Sequence, residues 1–236
     1  MPRPQLVLFD LDGTLVDSVP DLAYSIDRML LDMDRPPAGV DQVRLWVGNG
    51  ADRLVKRALT GSMDAEPEQA SFETAFDLFL RYYGQNSCER SQLYPGVRQC
   101  LAALSEFGIP IACITNKPIR FTTPLLEFLE LDGFFGLVVG GDSLAEKKPS
   151  PAPLHYAANF FKVSPQNCLM VGDSINDIRA ARAASMPVLA VPYGYNHGED
   201  IRQQRPDMIL ESLAELPELF GSKQALVNDE NDYRSS

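Results

Sequence analysis

The runs 6–9, 109–114, 137–139 and 168–171 are short and apolar, and polar residues follow each at once. The residues that follow are Asp10, then Thr115-Asn116-Lys117, Gly140-Gly141-Asp142 and Gly172-Asp173-Ser174. A fifth run, 187–191, stops at Pro192-Tyr193-Gly194. Unbroken apolar segments of this length suit strands covered on both faces, as in a parallel sheet. Helical patterns lie between them. Val97, Leu101, Leu104 and Phe107 recur at helical spacing, and 177–184 is alanine-rich. Alternation of strand and helix over 92–220 predicts an α/β domain with a doubly wound, Rossmann-like parallel sheet.

Residues 18–91 have a different texture. Ser18 reads as a helix N-cap with Asp21 in the capping-box position. Val19, Leu22, Ile26, Met29, Leu30 and Met33 then form one apolar face, and Arg35-Pro36-Pro37 ends it. Further helices are expected around 40–46, 51–60 and 66–84. The expected division is an α/β core at 1–17 and 92–221, an inserted all-helical domain at 18–91, and a polar tail at 222–236. With 236 residues, 45% of them hydrophobic, the chain is long enough for one domain plus an insert of this kind.

The formal charge of −11 disfavours nucleic acid and anionic membranes as partners. A small anionic ligand would need a local cation. The apolar stretch entering Asp10 is too short for a signal peptide, and no run approaches a bilayer span. Cys88, Cys100, Cys113 and Cys168 are scattered without zinc-ligand spacing, which suits reduced thiols and a cytoplasmic setting.

In open α/β sheets ligands bind outside the carboxyl ends of the strands. The residues expected to meet there are Asp10, Asp12, Thr115, Asn116, Lys148, Asp173 and Asp177. Asp10 and Asp12, two apart in an extended segment, lie on one side. Two carboxylates at short range cannot both ionise cheaply, and a divalent cation relieves the conflict. An all-oxygen site with Asp173 as a further ligand suits Mg²⁺, which also accepts a phosphate oxygen. Four carboxylates against one lysine would otherwise repel a phosphate dianion.

Asp10-Leu11-Asp12-Gly13-Thr14-Leu15-Val16-Asp17-Ser18 resembles the first motif of the haloacid dehalogenase-like phosphohydrolases. Ile114-Thr115-Asn116-Lys117, Lys148-Pro149-Ser150-Pro151 and Val171-Gly172-Asp173-Ser174-Ile175-Asn176-Asp177 are similar to the second, third and fourth, in the same order. The insert resembles their helical cap. Trp46-Val47-Gly48-Asn49-Gly50-Ala51, Leu93-Tyr94-Pro95-Gly96-Val97 and Tyr193-Gly194-Tyr195-Asn196-His197-Gly198 look most like bacterial phosphoglycolate phosphatases.

The resemblance implies an Mg²⁺-dependent phosphatase acting on 2-phosphoglycolate or another small phosphate ester. It implies Asp10 as nucleophile, forming an aspartyl phosphate, and Asp12 as general acid and base. Metal ligands would be Asp10, Asp173 and Asp12, the last through its main-chain carbonyl. Thr115 and Asn116 would bind phosphate, with the Asn116 N–H at a helix start. Lys148 would bridge phosphate and Asp10, its neighbour Lys147 being the competing choice. Asp177 would orient the lysine and metal waters from behind. Other chemistries on the scaffold, a phosphonatase or a phosphomutase, remain alternatives; the phosphonatase would need a cap lysine, and Lys56 is the only one.

Gly48-Asn49-Gly50 lacks the third glycine of a dinucleotide loop, because position 53 is Arg. The same loop is expected to open a helix toward the site and to help bind a small carboxylate, with Arg53 or Lys56 assisting. His155 reads as structural and His197 as ambiguous. Trp46, Phe72, Phe76, Phe79 and Tyr83 read as core of the helical insert.

Overall fold

The computed structural model describes residues 1–86 and 88–221; the tail expected at 222–236 lies outside them. Six parallel strands form one sheet: β1 (Leu6–Phe9), β4 (Ile111–Ile114), β5 (Leu137–Val139), β6 (Cys168–Gly172), β7 (Val188–Ala190) and β8 (Met208–Ile209). Their spatial order is β5-β4-β1-β6-β7-β8. From β1 the chain builds outward through β4 and β5, then returns to the other side of β1 for β6, β7 and β8. The reversal opens a crevice at the carboxyl end of β1.

Both faces of the sheet are covered, as the unbroken apolar runs require. Val7 and Phe9 of β1 point into one core with Val97, Leu101 and Leu104 of α5 (Val97–Glu106) and with Leu125 of α6 (Ile119–Phe128). Leu6 and Leu8 point into the other, against Leu154 and Ala157 of α7 (Ala152–Phe161) and Ile178 and Ala181 of α8 (Ile175–Ala183). The doubly wound α/β architecture is thus present, with helices on each side of the sheet.

Between β1 and β4 the chain forms α1 (Val19–Asp32), α2 (Val40–Trp46), α3 (Ala51–Thr60) and α4 (Gln69–Asn86). The last begins three residues later than the sequence pattern predicts. Their own core joins Val19, Ile26 and Met29 of α1, Val43 and Trp46 of α2, Leu54 and Val55 of α3, and Phe79 and Tyr83 of α4. Phe121 and Tyr195, from beyond this stretch, pack into the same cluster. Phe72 and Phe76 pack at its edge.

Two features at the base of the helices were not anticipated. A two-residue ribbon, β2 (Val16–Asp17) with β3 (Gln92–Leu93), holds the outgoing and returning chain side by side. Two residues are too short for any periodic signal. The capping box expected from Ser18 and Asp21 does not form. The Ser18 side chain caps nothing; its Oγ donates to Asp12 Oδ1 at 2.5 Å. The fully buried Asp21 carboxylate instead accepts the Arg90 N–H at 3.0 Å, the Ser91 N–H at 2.8 Å and the Ser91 hydroxyl at 2.7 Å. It satisfies the returning chain's donors rather than its own helix's.

Asp21 therefore ties the two ends of the helical stretch together. Asp21→Ala leaves three donors without an acceptor in a buried place and is expected to cost about 2–4 kcal/mol in urea unfolding. Retention of full stability would show that the tie carries no load.

Candidate active site

The crevice at the end of β1 collects the strand-end residues. Asp10 leaves β1 with its carboxylate buried, and Oδ1 receives both the Leu11 N–H at 2.7 Å and the Lys148 ammonium at 2.8 Å. Lys148 also donates to Asp177 Oδ1 at 2.7 Å. Asp177 sits in the first turn of α8, where its Oδ2 accepts the Ser174 N–H and hydroxyl at 3.0 and 2.7 Å. That helix start does use a serine and an acid three residues apart, so Asp177 serves both the helix and the lysine. Between the two adjacent lysines the geometry selects Lys148; Lys147 turns away to pair with Asp52 at 3.1 Å.

Asp173 follows β6. The Thr14 hydroxyl donates to its Oδ1 at 2.8 Å and the Tyr195 N–H to its Oδ2 at 2.5 Å. Its carboxylate is reachable only because glycine stands opposite. Gly13 has φ +87°, and a Cβ there would lie 2.2 Å from Asp173 Oδ2.

Carboxylate oxygens of Asp10, Asp173 and Asp177 lie within 4.8 Å of one another. Burial raises the Asp10 pKa to about 7, with Lys148 opposing and Asp177 adding to the rise. Burial, then the Asp10 and Asp177 charges, push Asp173 well above the ordinary carboxylate range. Burial alone would lower the Lys148 ammonium, but Asp10 and Asp177 outweigh it and hold it above its usual value. One lysine thus leaves the cluster short of positive charge. Hard oxygen donors in a buried anionic cluster fit a divalent metal.

The side chain of Asp12 is not part of that cluster. It accepts Ser18 Oγ and both its oxygens lie 2.9 Å from the Lys117 ammonium. A metal contact from this residue would have to come through its main chain. Thr115 and Asn116 occupy the loop after β4; α6 starts only at Ile119, so neither stands in a helical first turn, contrary to expectation. Pro118 disfavours helical backbone at Lys117 before it and is itself the extended N-cap of α6. Thr115 Oγ1 accepts the Lys117 N–H at 3.2 Å. Asn116 Nδ2 donates to the Lys148 carbonyl at 2.9 Å and to the Gly48 carbonyl at 3.2 Å. Asn176 Nδ2 reaches the same Gly48 carbonyl at 3.2 Å.

The loop 47–50 thus lies directly over the crevice and leads into α3, as its sequence suggested. Beneath it is a cavity of about 50 Å³, bordered by Asp10, Asp12, Thr115 and Lys117 on one side and by Gly50, Phe79 and Tyr83 on the other. That is room for roughly one or two waters. Arg53 and Lys56 do not border it. Arg53 pairs with Glu66 and Asp64, and Lys56 with Glu66 at 2.7 Å, because an acidic loop following α3 captures both cations. His197 Nδ1 meets the Leu45 carbonyl at 2.9 Å, fastening its loop to α2. His155 lies on α7, away from this cavity.

Lys117 and Asn176 are the residues whose placement the sequence did not announce. Their only signal was position, one step beyond a strand-end pair and one step before an acid.

The haloacid dehalogenase-like hydrolase family model matches residues 4–185. The chain belongs to that family. A phosphoglycolate phosphatase of Nitrosococcus oceani is 48% identical over 220 residues, spanning 93% of this chain and 98% of that protein. One from Pseudomonas putida is 49% identical over 214 residues, spanning 90% and 78%. The crystal structure of a predicted phosphoglycolate phosphatase from Haemophilus somnus superposes with TM-score 0.88 at 41% identity, covering 93% of this chain and 99% of that one. With this likeness goes the enzyme class: the hydrolase is a phosphoric monoester hydrolase. Among the described residues no helix is long and apolar enough to cross a membrane.

The raised pKa of Asp10 gives a signed prediction. A carboxyl whose folded pKa exceeds its ordinary 3.8 loses folding stability as pH rises through the window from there to about 7. A cation competes with the retained proton, so its binding strengthens over the same window. The rise in Tm caused by millimolar Mg²⁺ is therefore expected to be small near pH 5 and larger near pH 8. Gly13→Ala, which drives a methyl into Asp173, is expected to lose most of that rise at either pH. An increment independent of pH would argue against cation binding at these carboxylates.

Proposed function

We propose that this hydrolase converts 2-phosphoglycolate to glycolate and phosphate through an aspartyl-phosphate intermediate on Asp10, with Mg²⁺ as its metal. One observation carries the reading. The Leu11 N–H and the Lys148 ammonium both meet Asp10 at Oδ1, and Asp10 lines the cavity together with Asp12.

Asp10 Oδ2 attacks phosphorus; an Asp10–phosphorus bond forms as the bond to the alkyl oxygen breaks. Asp12 gives a proton to the departing glycolate oxygen. In the second half Asp12 takes a proton from water, whose oxygen attacks phosphorus and releases Asp10 and inorganic phosphate. Lys148 stabilises charge on the transferring oxygens while fixing Asp10. The Thr115 hydroxyl and Asn116 N–H bind phosphate oxygens.

Asp10 and Asp173, with the main-chain carbonyl of Asp12, would hold Mg²⁺, which when bound neutralises the phosphoryl oxygens and screens the carboxylates from the incoming dianion. Asp177 acts through Lys148. The helices α1–α4 serve as a cap that excludes bulk water. The small cavity favours a compact ester over a phosphoprotein or a nucleic-acid end.

The test is phosphate release from a panel of small phosphate esters, with and without Mg²⁺. 2-Phosphoglycolate is expected to give the highest kcat/KM. Asp10→Asn is expected to reduce kcat by about 10³-fold or more, since no other group replaces the nucleophile. Mass spectrometry of quenched wild-type enzyme should show a phosphoryl adduct on Asp10. Substantial turnover in Asp10→Asn overturns the nucleophile, and a better substrate elsewhere in the panel overturns the substrate.

A further inference from the structure

We infer that Lys117 and Tyr83 form the subsite that selects a carboxylate on the substrate, a deepening that rests on the proposed 2-phosphoglycolate reading. Arg53, the candidate that the sequence offered, is held elsewhere by Glu66 and Asp64.

Lys117 is buried in the structure, with only 3% of its side chain exposed. An ammonium has three N–H donors. The two Asp12 oxygens, each at 2.9 Å, account for its acidic partners. The face of the Tyr83 ring lies next to it, with Nζ 5.1 Å from the ring centre. Tyr83 arrives from the opposite side of the crevice on α4, and its side chain is almost wholly buried. Its hydroxyl faces the Lys117 ammonium, and no group accepts the phenol's own proton. A buried phenol proton without a partner is costly unless something else supplies an acceptor.

Both residues border the cavity that also holds Asp10 and Asp12. The adjoining walls, Leu22, Leu54, Phe79 and Phe121, offer no competing polar group. An ammonium and a neutral hydroxyl at the edge of an apolar pocket match one anionic oxygen group of the ligand. With phosphorus at Asp10, the group so placed is the carboxylate at the far end of a two-carbon ester. A methyl in its place would leave the phenol proton without an acceptor and the lysine with only Asp12 and Tyr83. Discrimination of this kind comes from polar groups left unpaired by the wrong substrate.

The decisive quantity is a selectivity ratio, kcat/KM for 2-phosphoglycolate over kcat/KM for ethyl phosphate, in which a methyl replaces the carboxylate. Any damage that a Lys117 variant does to Asp12 acts on both substrates and cancels in the ratio. Lys117→Met is expected to lower the ratio by about 100-fold, as for a lost charge-assisted contact. Tyr83→Phe removes only the hydroxyl and is expected to lower it by about fivefold. Because it keeps the ring, this variant preserves the packing and guards against a folding artefact. Ratios within twofold of wild type in both variants, or a fall confined to Arg53→Met, overturn the subsite alone. A wild-type ratio near one overturns the substrate reading and the subsite together.

Discussion

A lysine ammonium buried between two carboxylates is the interaction on which the site rests. Lys148 lies 2.8 Å from Asp10 and 2.7 Å from Asp177, with almost no exposed side chain. Removing one partner of a buried pair of this kind costs about 3–5 kcal/mol, because the other charge is left uncompensated. The three residues come from the ends of separate segments, β1, the loop before α7 and the start of α8. Their pairing therefore sets how those segments meet. It also fixes which Asp10 oxygen is occupied, while the remaining negative charge makes the crevice receptive to a cation and hostile to a bare anion.

The sheet makes this meeting possible. Because the chain turns back beside β1, the ends of β4 and β6 flank the end of β1, and residues more than a hundred positions apart become neighbours. Tight packing then decides whether the neighbours fit. Asp173 is enclosed by Thr14, Tyr195 and two glycines, Gly13 and Gly194, where a Cβ would lie within 2.3 Å of its oxygen. The same loop that supplies Tyr195 to Asp173 also sends that tyrosine's hydroxyl to Asp17, at the root of α1. Contacts to the carboxylate cluster and to the helical stretch thus share one short segment.

The strand-end acids, Lys148 and the α/β architecture were legible because both faces of the sheet are buried. Burial forces continuous apolar runs, and whatever polar residue ends a run must lie at the sheet's edge. Lys117 escaped because adjacency to Thr115 and Asn116 says nothing about which way a loop side chain turns. Arg53 was misplaced for a related reason. Helical phase shows that it leaves the apolar face of α3, yet not that Glu66 and Asp64 wait there. Asp21 was assigned to its own helix because local capping is the commoner fate of such a residue; its actual partners, Arg90 and Ser91, lie about seventy positions away. Tyr83 was legible as core and not as a cavity wall, since a side chain at the seam of two packed bodies is both.

The carbonyl of Gly48 accepts amide protons from two residues, Asn116 in the loop after β4 and Asn176 in the first turn of α8. Each bond alone is worth about 1 kcal/mol, and any displacement of that carbonyl from the crevice would break both. The loop 47–50 is thereby tied to the segments that follow β4 and β6 through a single oxygen.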